Sequence, residues 1–235
     1  MEVLKNRQQI KKARTELASR NLSFIEPAWQ TSVKRLGLLG GISLGEWVKS
    51  WDVLLTVKFI EGFVDKSDPI LDIGCFCSEL IVILHNIGYA RLAGADLNPD
   101  IRLMPYQESI DYQSVDYMHT NFADASFQAI TAISVIEHGF QAKELLEEVS
   151  RLLRPGGYFV ASFDYWPEKI DTTGIRFFGV SWQIFSQAEV AQFVSDAKQF
   201  GLESVGDLES EIGERAIEFG GKKYTFGWIV LQKSP

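Results

Sequence analysis

The sequence predicts an α/β domain: a doubly wound sheet, mostly parallel with an antiparallel last strand, behind an N-terminal helical extension. Three observations carry that expectation. From about residue 65 onward, short apolar runs alternate with segments of helical period, the pattern of βαβ units. Glycine and proline fall where that alternation needs a stop, as at Gly74, Gly88, Pro155-Gly156-Gly157 and Gly201. The last apolar run, 223–231, follows Gly220-Gly221 too closely for a helical crossover, so it must enter the sheet antiparallel. The expected division is residues 1–65 as a helical cap and 66–235 as the sheet domain.

In chain order, Ser43 and Glu46 have capping-box spacing, and Trp47, Trp51, Leu54, Leu55 and Lys58 then share one side of a helix expected to lie over the sheet. Residues 69–74 form a continuous apolar first strand stopped by Gly74. Leu80, Ile81, Leu84 and Ile87 recur at helical spacing, with Ser78 as N-cap and Gly88 at the far end. Residues 91–96 read as the second strand. Pro99 opens a helix that Pro105 cuts to one turn or two. A third strand over 110–115 ends at Asp116, and a fourth covers 129–136 beyond a polar loop. Helix 141–154 has Leu145, Leu146, Val149, Leu152 and Leu153 on its apolar face and Arg151 and Arg154 in its last turn, where the dipole favours them. The fifth strand is 158–163. Ser186 with Glu189 caps a helix whose face is Val190, Phe193, Val194 and Ala197, and the sixth strand, near 202–208, is the expected neighbour of the last run.

Composition bounds the function. A 46% hydrophobic and 23% charged chain has a normal globular balance, and no apolar run reaches the roughly 20 residues of a membrane span. The polar, basic start carries no signal-type segment, so a cytoplasmic location is expected. Cys75 and Cys77 are too close in sequence for a structural disulfide and read as free thiols. A net charge of -8 disfavours nucleic acid and favours a small-molecule substrate. The basic run Lys5, Arg7, Lys11, Lys12, Arg14 and Arg20 reads as a solvated helix or frayed tail, with contact to a partner or a membrane surface as the other reading.

Ligands of an open parallel sheet bind outside the carboxyl ends of its strands. There the sequence places Asp72-Ile-Gly74-Cys75-Phe76, a tight turn into a helix N-terminus, then Asp96-Leu97, 24 positions beyond Asp72, where a carboxylate can accept both hydroxyls of a ribose. The third strand adds Asp116, with Tyr117 and Met118 to face a purine. An unpaired buried carboxylate is expensive, so acids at three consecutive strand ends point to a ligand. A dinucleotide would need G-x-G-x-x-G, of which only the first glycine is present, so a nicotinamide enzyme is the weaker reading. Zinc-finger spacing is missing around the cysteines, and no metal is expected.

These residues resemble the class I S-adenosylmethionine-dependent methyltransferases, especially the small-molecule branch of the ubiquinone-biosynthesis type, over about residues 68–164. The family turn LDxGCGxG is similar to Leu71, Asp72, Gly74 and Cys75, with Phe76 and Ser78 where the family has glycine. Phe76 must therefore point away or wall the pocket. Ser134-Val-Ile-Glu137-His138 is similar to the family's fourth-strand ending, and Arg154-Pro155-Gly156-Gly157 to its turn into the fifth strand. The resemblance implies a Rossmann-like fold that binds S-adenosyl-L-methionine, giving S-adenosyl-L-homocysteine, through Asp72, Gly74, Cys75, Phe76, Asp96, Leu97, Asp116, Tyr117, Met118 and Ser134. His138 is the candidate general base, with a hydroxyl as the preferred acceptor; carbon and amine acceptors stay open. Asp164, Tyr165, Trp166, Trp182 and Trp51 are expected at the substrate. A homodimer is allowed for, and a non-catalytic, cofactor-binding regulatory subunit is the reading from another class.

Overall fold

The computed structural model describes residues 1–26, 41–208 and 211–235. Its main sheet is built from β1 (Glu2–Val3), β2 (Pro69–Ile73), β3 (Arg91–Asp96), β4 (Ile110–Ser114), β5 (Phe127–Ile133), β6 (Leu153–Tyr165), β9 (Leu202–Ser204), β10 (Ile217–Phe219) and β11 (Lys222–Lys233); β7 (Arg176–Phe177) and β8 (Val180–Ser181) form a separate hairpin. The order is β1-β11-β6-β5-β2-β3-β4, with β9 and β10 also on β11. Pairs from β4 through to β6 are parallel, and β11 runs antiparallel to β6 from Thr225 to Gln232. The last strand thus lies antiparallel to the short β9, as expected, and also inserts beside the fifth core strand.

Helices α1 (Arg7–Ser19), α2 (Ser50–Phe63) and α3 (Leu80–Asn86) cover one face; α4 (Ala142–Leu152) and α5 (Gln187–Ala197) cover the other. Each face has its own apolar cluster, one around Ile10, Leu17, Val57, Ile60 and Leu84, the other around Leu145, Val149, Phe159, Phe193 and Leu231. Chain order reverses between β2 and β5, which pair directly, so the switch point falls beside Asp72.

Local chemistry explains most boundaries, and some depart from expectation. The Ser186–Glu189 capping box forms. The Ser43–Glu46 box does not: Ser43 donates to Glu26, Trp47–Lys49 is a 3-10 turn, and α2 starts at Ser50. Ser78 is not the N-cap, which is Glu79; it lies two residues ahead of α3, its Oγ accepting from the Leu80 amide at 3.1 Å. The fourth core strand stops at Ile133 because Ser134 turns left-handed (φ 51). Pro155-Gly156-Gly157 does not precede the fifth strand but lies within β6 as a register shift against β5. The basic N-terminal run is helical, and β1 ahead of it adds to β11, a strand too short to show in the sequence.

Candidate functional site

The turn after β2 is held by backbone constraints. Gly74 has φ +65 and donates its amide to Ala95 O at 2.7 Å; a Cβ there would lie 2.4 Å from Val135 Cγ2, so only glycine fits. The next left-handed residue is Cys77 (φ 64), not Phe76 or Ser78, so the conformation does not demand glycine at either departing position. The Phe76 ring packs against the α1–α3 cluster, while its amide donates to Asp96 Oδ2 at 2.9 Å. The Asn98 amide takes the other Asp96 oxygen at 2.8 Å, fixing this carboxylate at the mouth of the turn. Cys75 is buried with its sulfur against Gly94; burial, then Asp72 and Asp96, hold its thiol well above the ordinary range. Its backbone, not its sulfur, faces the turn.

Asp72 is buried at the end of β2. Thr131 Oγ1 on β5 donates to its Oδ1 at 2.7 Å, and Oδ2 has no partner among the described residues. Burial pushes this carboxyl up to about 7, with Thr131 and Ser78 pulling against it and Asp96 adding to it. Asp116 is exposed and accepts from the Met118 amide at 2.9 Å. Tyr117 and Met118 are buried against the α4–α5 cluster, and Leu97 is exposed. The Tyr117 phenol is pushed up by burial and then by Glu137, Asp116 and Asp96, so acids from three strand ends act on one ring. Ser134 donates its amide to Ser162, and its Oγ is buried without a partner among the described residues.

Beyond Ser134 the chain is covered by the β7–β8 hairpin and the segment after it. Gly139 donates to Ser181 O at 2.8 Å and Gln183 to Glu137 O at 3.0 Å, and the His138 ring meets Phe177 and Phe178 edge-on. His138 is half-buried with Nδ1 unpartnered among the described residues; burial, then the Lys49 charge, lowers its pKa to about 4. The imidazole is therefore neutral at pH 7 and a weak proton acceptor. Trp182 donates from Nε1 to buried Asp164 at 2.7 Å, and Tyr224 also bonds this carboxyl, which burial raises to about 6. Trp166 is half-buried with Nε1 unpartnered among the described residues, and Trp51 is buried in the α1–α3 cluster. Tyr165 is not brought to this group: it follows Asp164 on a strand, so it points to the opposite face and packs in the other core.

Sequence reasoning did not single out Asp52, Glu137, Thr131 or Lys49. Asp52 on α2 is buried, accepts from Ser162 Oγ at 2.8 Å and is raised by burial to about 6. Glu137 is 1% exposed with Oε2 unpartnered among the described residues. Its signal was its place beside His138 at a strand end. An open groove of about 610 Å³ between Pro69, Leu92, Gln107 and Phe127 lies at the amino ends of the strands, away from all these groups.

Residues 71–161 match a family model described as "Methyltransferase domain". The chain is 28% identical over 127 residues to eEF1A lysine and N-terminal methyltransferase of Danio rerio (49% of this chain, 18% of that protein). It is 27% identical over 150 residues to cycloartenol-C-24-methyltransferase of Arabidopsis thaliana (59% and 43%). It therefore spans less than half the length of these curated relatives. Geranyl diphosphate C-methyltransferase of Streptomyces coelicolor A3(2), solved with S-adenosyl-L-homocysteine, superposes with a TM-score of 0.56 at 16% identity, covering 83% of this chain and 88% of that one; this likeness speaks to the fold.

Proposed function

We propose, for a chain whose residues 71–161 match the methyltransferase-domain model, that it is a class I S-adenosylmethionine-dependent methyltransferase and moves the methyl group of S-adenosyl-L-methionine to a small-molecule acceptor. One observation carries this reading. The buried side-chain polar atoms without partners among the described residues are Asp72 Oδ2, Tyr112 OH, Ser134 Oγ, Glu137 Oε2, His138 Nδ1 and Trp166 Nε1; Asp72 is near the carboxyl end of β2, Ser134, Glu137 and His138 are in the turn after β5, Trp166 directly follows β6, and Tyr112 is midway along β4. Orphaned groups cost about 1–3 kcal/mol each, so their concentration at one end of the sheet marks where ligands complete them.

These residues fit the cofactor. Asp72, half-satisfied and buried, suits an ammonium; Asp96, held by two amides, keeps lone pairs for ribose hydroxyls; Ser134 Oγ, after β5, and Tyr112 OH, on β4, stand on the two sides of the switch point. Bound, the cofactor supplies a methyl group on a cationic sulfur. The protein's part is positioning and exclusion of water, which can supply about 7–11 kcal/mol. For the acceptor atom we take a hydroxyl, presented to His138 Nδ1; with its low pKa the imidazole orients that hydroxyl rather than keeps its proton. A cytoplasmic setting and the cap role of residues 1–65 belong to the same proposal.

Calorimetric titration tests it. S-Adenosyl-L-methionine and S-adenosyl-L-homocysteine are both expected to bind, and His138→Ala is expected to lower turnover while leaving that binding unchanged. Failure to bind either nucleoside would remove the proposal; binding without transfer to any acceptor would mark a regulatory subunit.

A further inference from the structure

Next to the orphaned imidazole, three carboxyls are enclosed together. Asp52 comes from α2, Glu137 from the turn after β5 and Asp164 from the end of β6; all are at least 97% buried, and each carboxyl's charge acts on Glu137. Two are structurally held: Asp52 by Ser162, and Asp164 by Trp182 and Tyr224. Glu137 is not. Its Oε2 is closed off from water with no donor among the described residues, the arrangement a folded chain tolerates only where something else completes it.

What would complete it is a cation. Among the described residues Lys49 is the cation whose charge reaches all three acids, leaving there an excess of carboxyl over ammonium. The Lys49 ammonium rests 4.8 Å above the Phe226 ring, so an ammonium is already held on an aromatic face beside these acids. Further rings continue that wall: Phe226 meets Tyr224, Tyr224 meets Trp182, and Trp182 meets Phe177, which touches His138. The neutral imidazole adds no competing positive charge at pH 7. The acids are not grouped as a metal centre: among the described residues no three His, Cys, Asp or Glu side chains are arranged to hold an ion.

We propose that the small molecule taken at this site carries a protonated amine, with Glu137 as its counter-ion and the Trp182–Tyr224 wall against its apolar part. This rests on the methyltransferase reading for the site's role, and it deepens that reading by naming the substrate class.

The test uses the full chain, with and without saturating S-adenosyl-L-homocysteine, and titrates 2-phenylethylamine against its neutral isostere 2-phenylethanol. The amine is expected to bind about tenfold or more tightly than the alcohol, Glu137→Gln to erase that preference, and Glu137→Asp to retain part of it. Equal binding of the two probes by the wild type, or no binding of either, overturns the proposal whether or not the variants fold. If Glu137→Gln instead narrows the affinity gap between S-adenosyl-L-methionine and S-adenosyl-L-homocysteine and leaves the probes unchanged, the acids serve the sulfonium and the proposal is equally overturned. Failure of S-adenosyl-L-homocysteine to bind sinks the methyltransferase reading alone, because the amine titration stands without it.

Discussion

Thr131 and Asp72 show how much one hydroxyl decides at this site. The threonine donates to one carboxylate oxygen across the β2–β5 pair, leaving the other oxygen free for a ligand. Thr131→Val keeps the volume but removes the donor, and should destabilise the fold by about 1–3 kcal/mol and weaken cofactor binding; urea unfolding and calorimetry measure the two effects. Asp72→Asn should leave the fold intact and reduce cofactor affinity by about tenfold or more, because the ammonium loses its counter-charge. At Gly74, alanine meets Val135 and a left-handed backbone at once, so Gly74→Ala should lose binding and stability together. Asp72 and Asp96 were legible in the sequence because an apolar run followed by Gly74 fixes where the strand ends. Glu137 was not, since its isolation depends on Trp182, Tyr224 and α2 packing around it, and these come from three distant segments. Tyr165 was misjudged for a simpler reason: adjacent strand residues cannot face the same ligand.

At the scale of elements, the βαβ core was readable because every strand and helix repeats its apolar period, and the capping box before α5 formed as spaced. The N-terminal segment was not. Residues 1–20 read as a solvated helix, yet Arg14 reaches a fully buried Glu79 just after the cofactor turn, with Ser23 and Ser50 also bonded to its guanidinium. An ion pair spanning 65 positions leaves no local pattern to read. Gly45 adds a second tie by donating to Cys77 O at 2.8 Å. The extension thus supports the turn after β2 and the start of α3. Arg14→Met leaves a buried carboxylate exposed to no cation and should cost about 3–5 kcal/mol, with cofactor affinity falling in parallel. Arg14→Met with Glu79→Leu should recover much of that loss in a double-mutant cycle by chemical denaturation; strict additivity would show that the pair is not coupled.

For the whole molecule, the buried acids set how stability depends on pH. Asp52, Asp72 and Asp164 sit in the folded chain at about 6, about 7 and about 6, each raised chiefly by burial, and Glu137 is raised as well. In the unfolded chain such groups titrate near 4. Between about pH 4 and 7 the folded form therefore binds more protons than the unfolded one, so stability falls as pH rises through that window. His138 works the other way: lowered to about 4, it binds its proton in the unfolded chain first, so its contribution rises with pH up to about 6.5. One histidine opposes four carboxyls, and the acids should prevail. The ligand-free protein is expected to melt at a higher temperature at pH 5.5 than at pH 8, by scanning calorimetry. S-Adenosyl-L-methionine should reduce that difference, since its ammonium favours the ionised Asp72, and its affinity should climb from pH 6 to 8 as that carboxyl gives up its proton. A melting temperature that stays level or rises toward pH 8 in the free protein would mean that these carboxyls are already ionised and paired, which would remove the electrostatic vacancy on which both the cofactor site and the amine site depend.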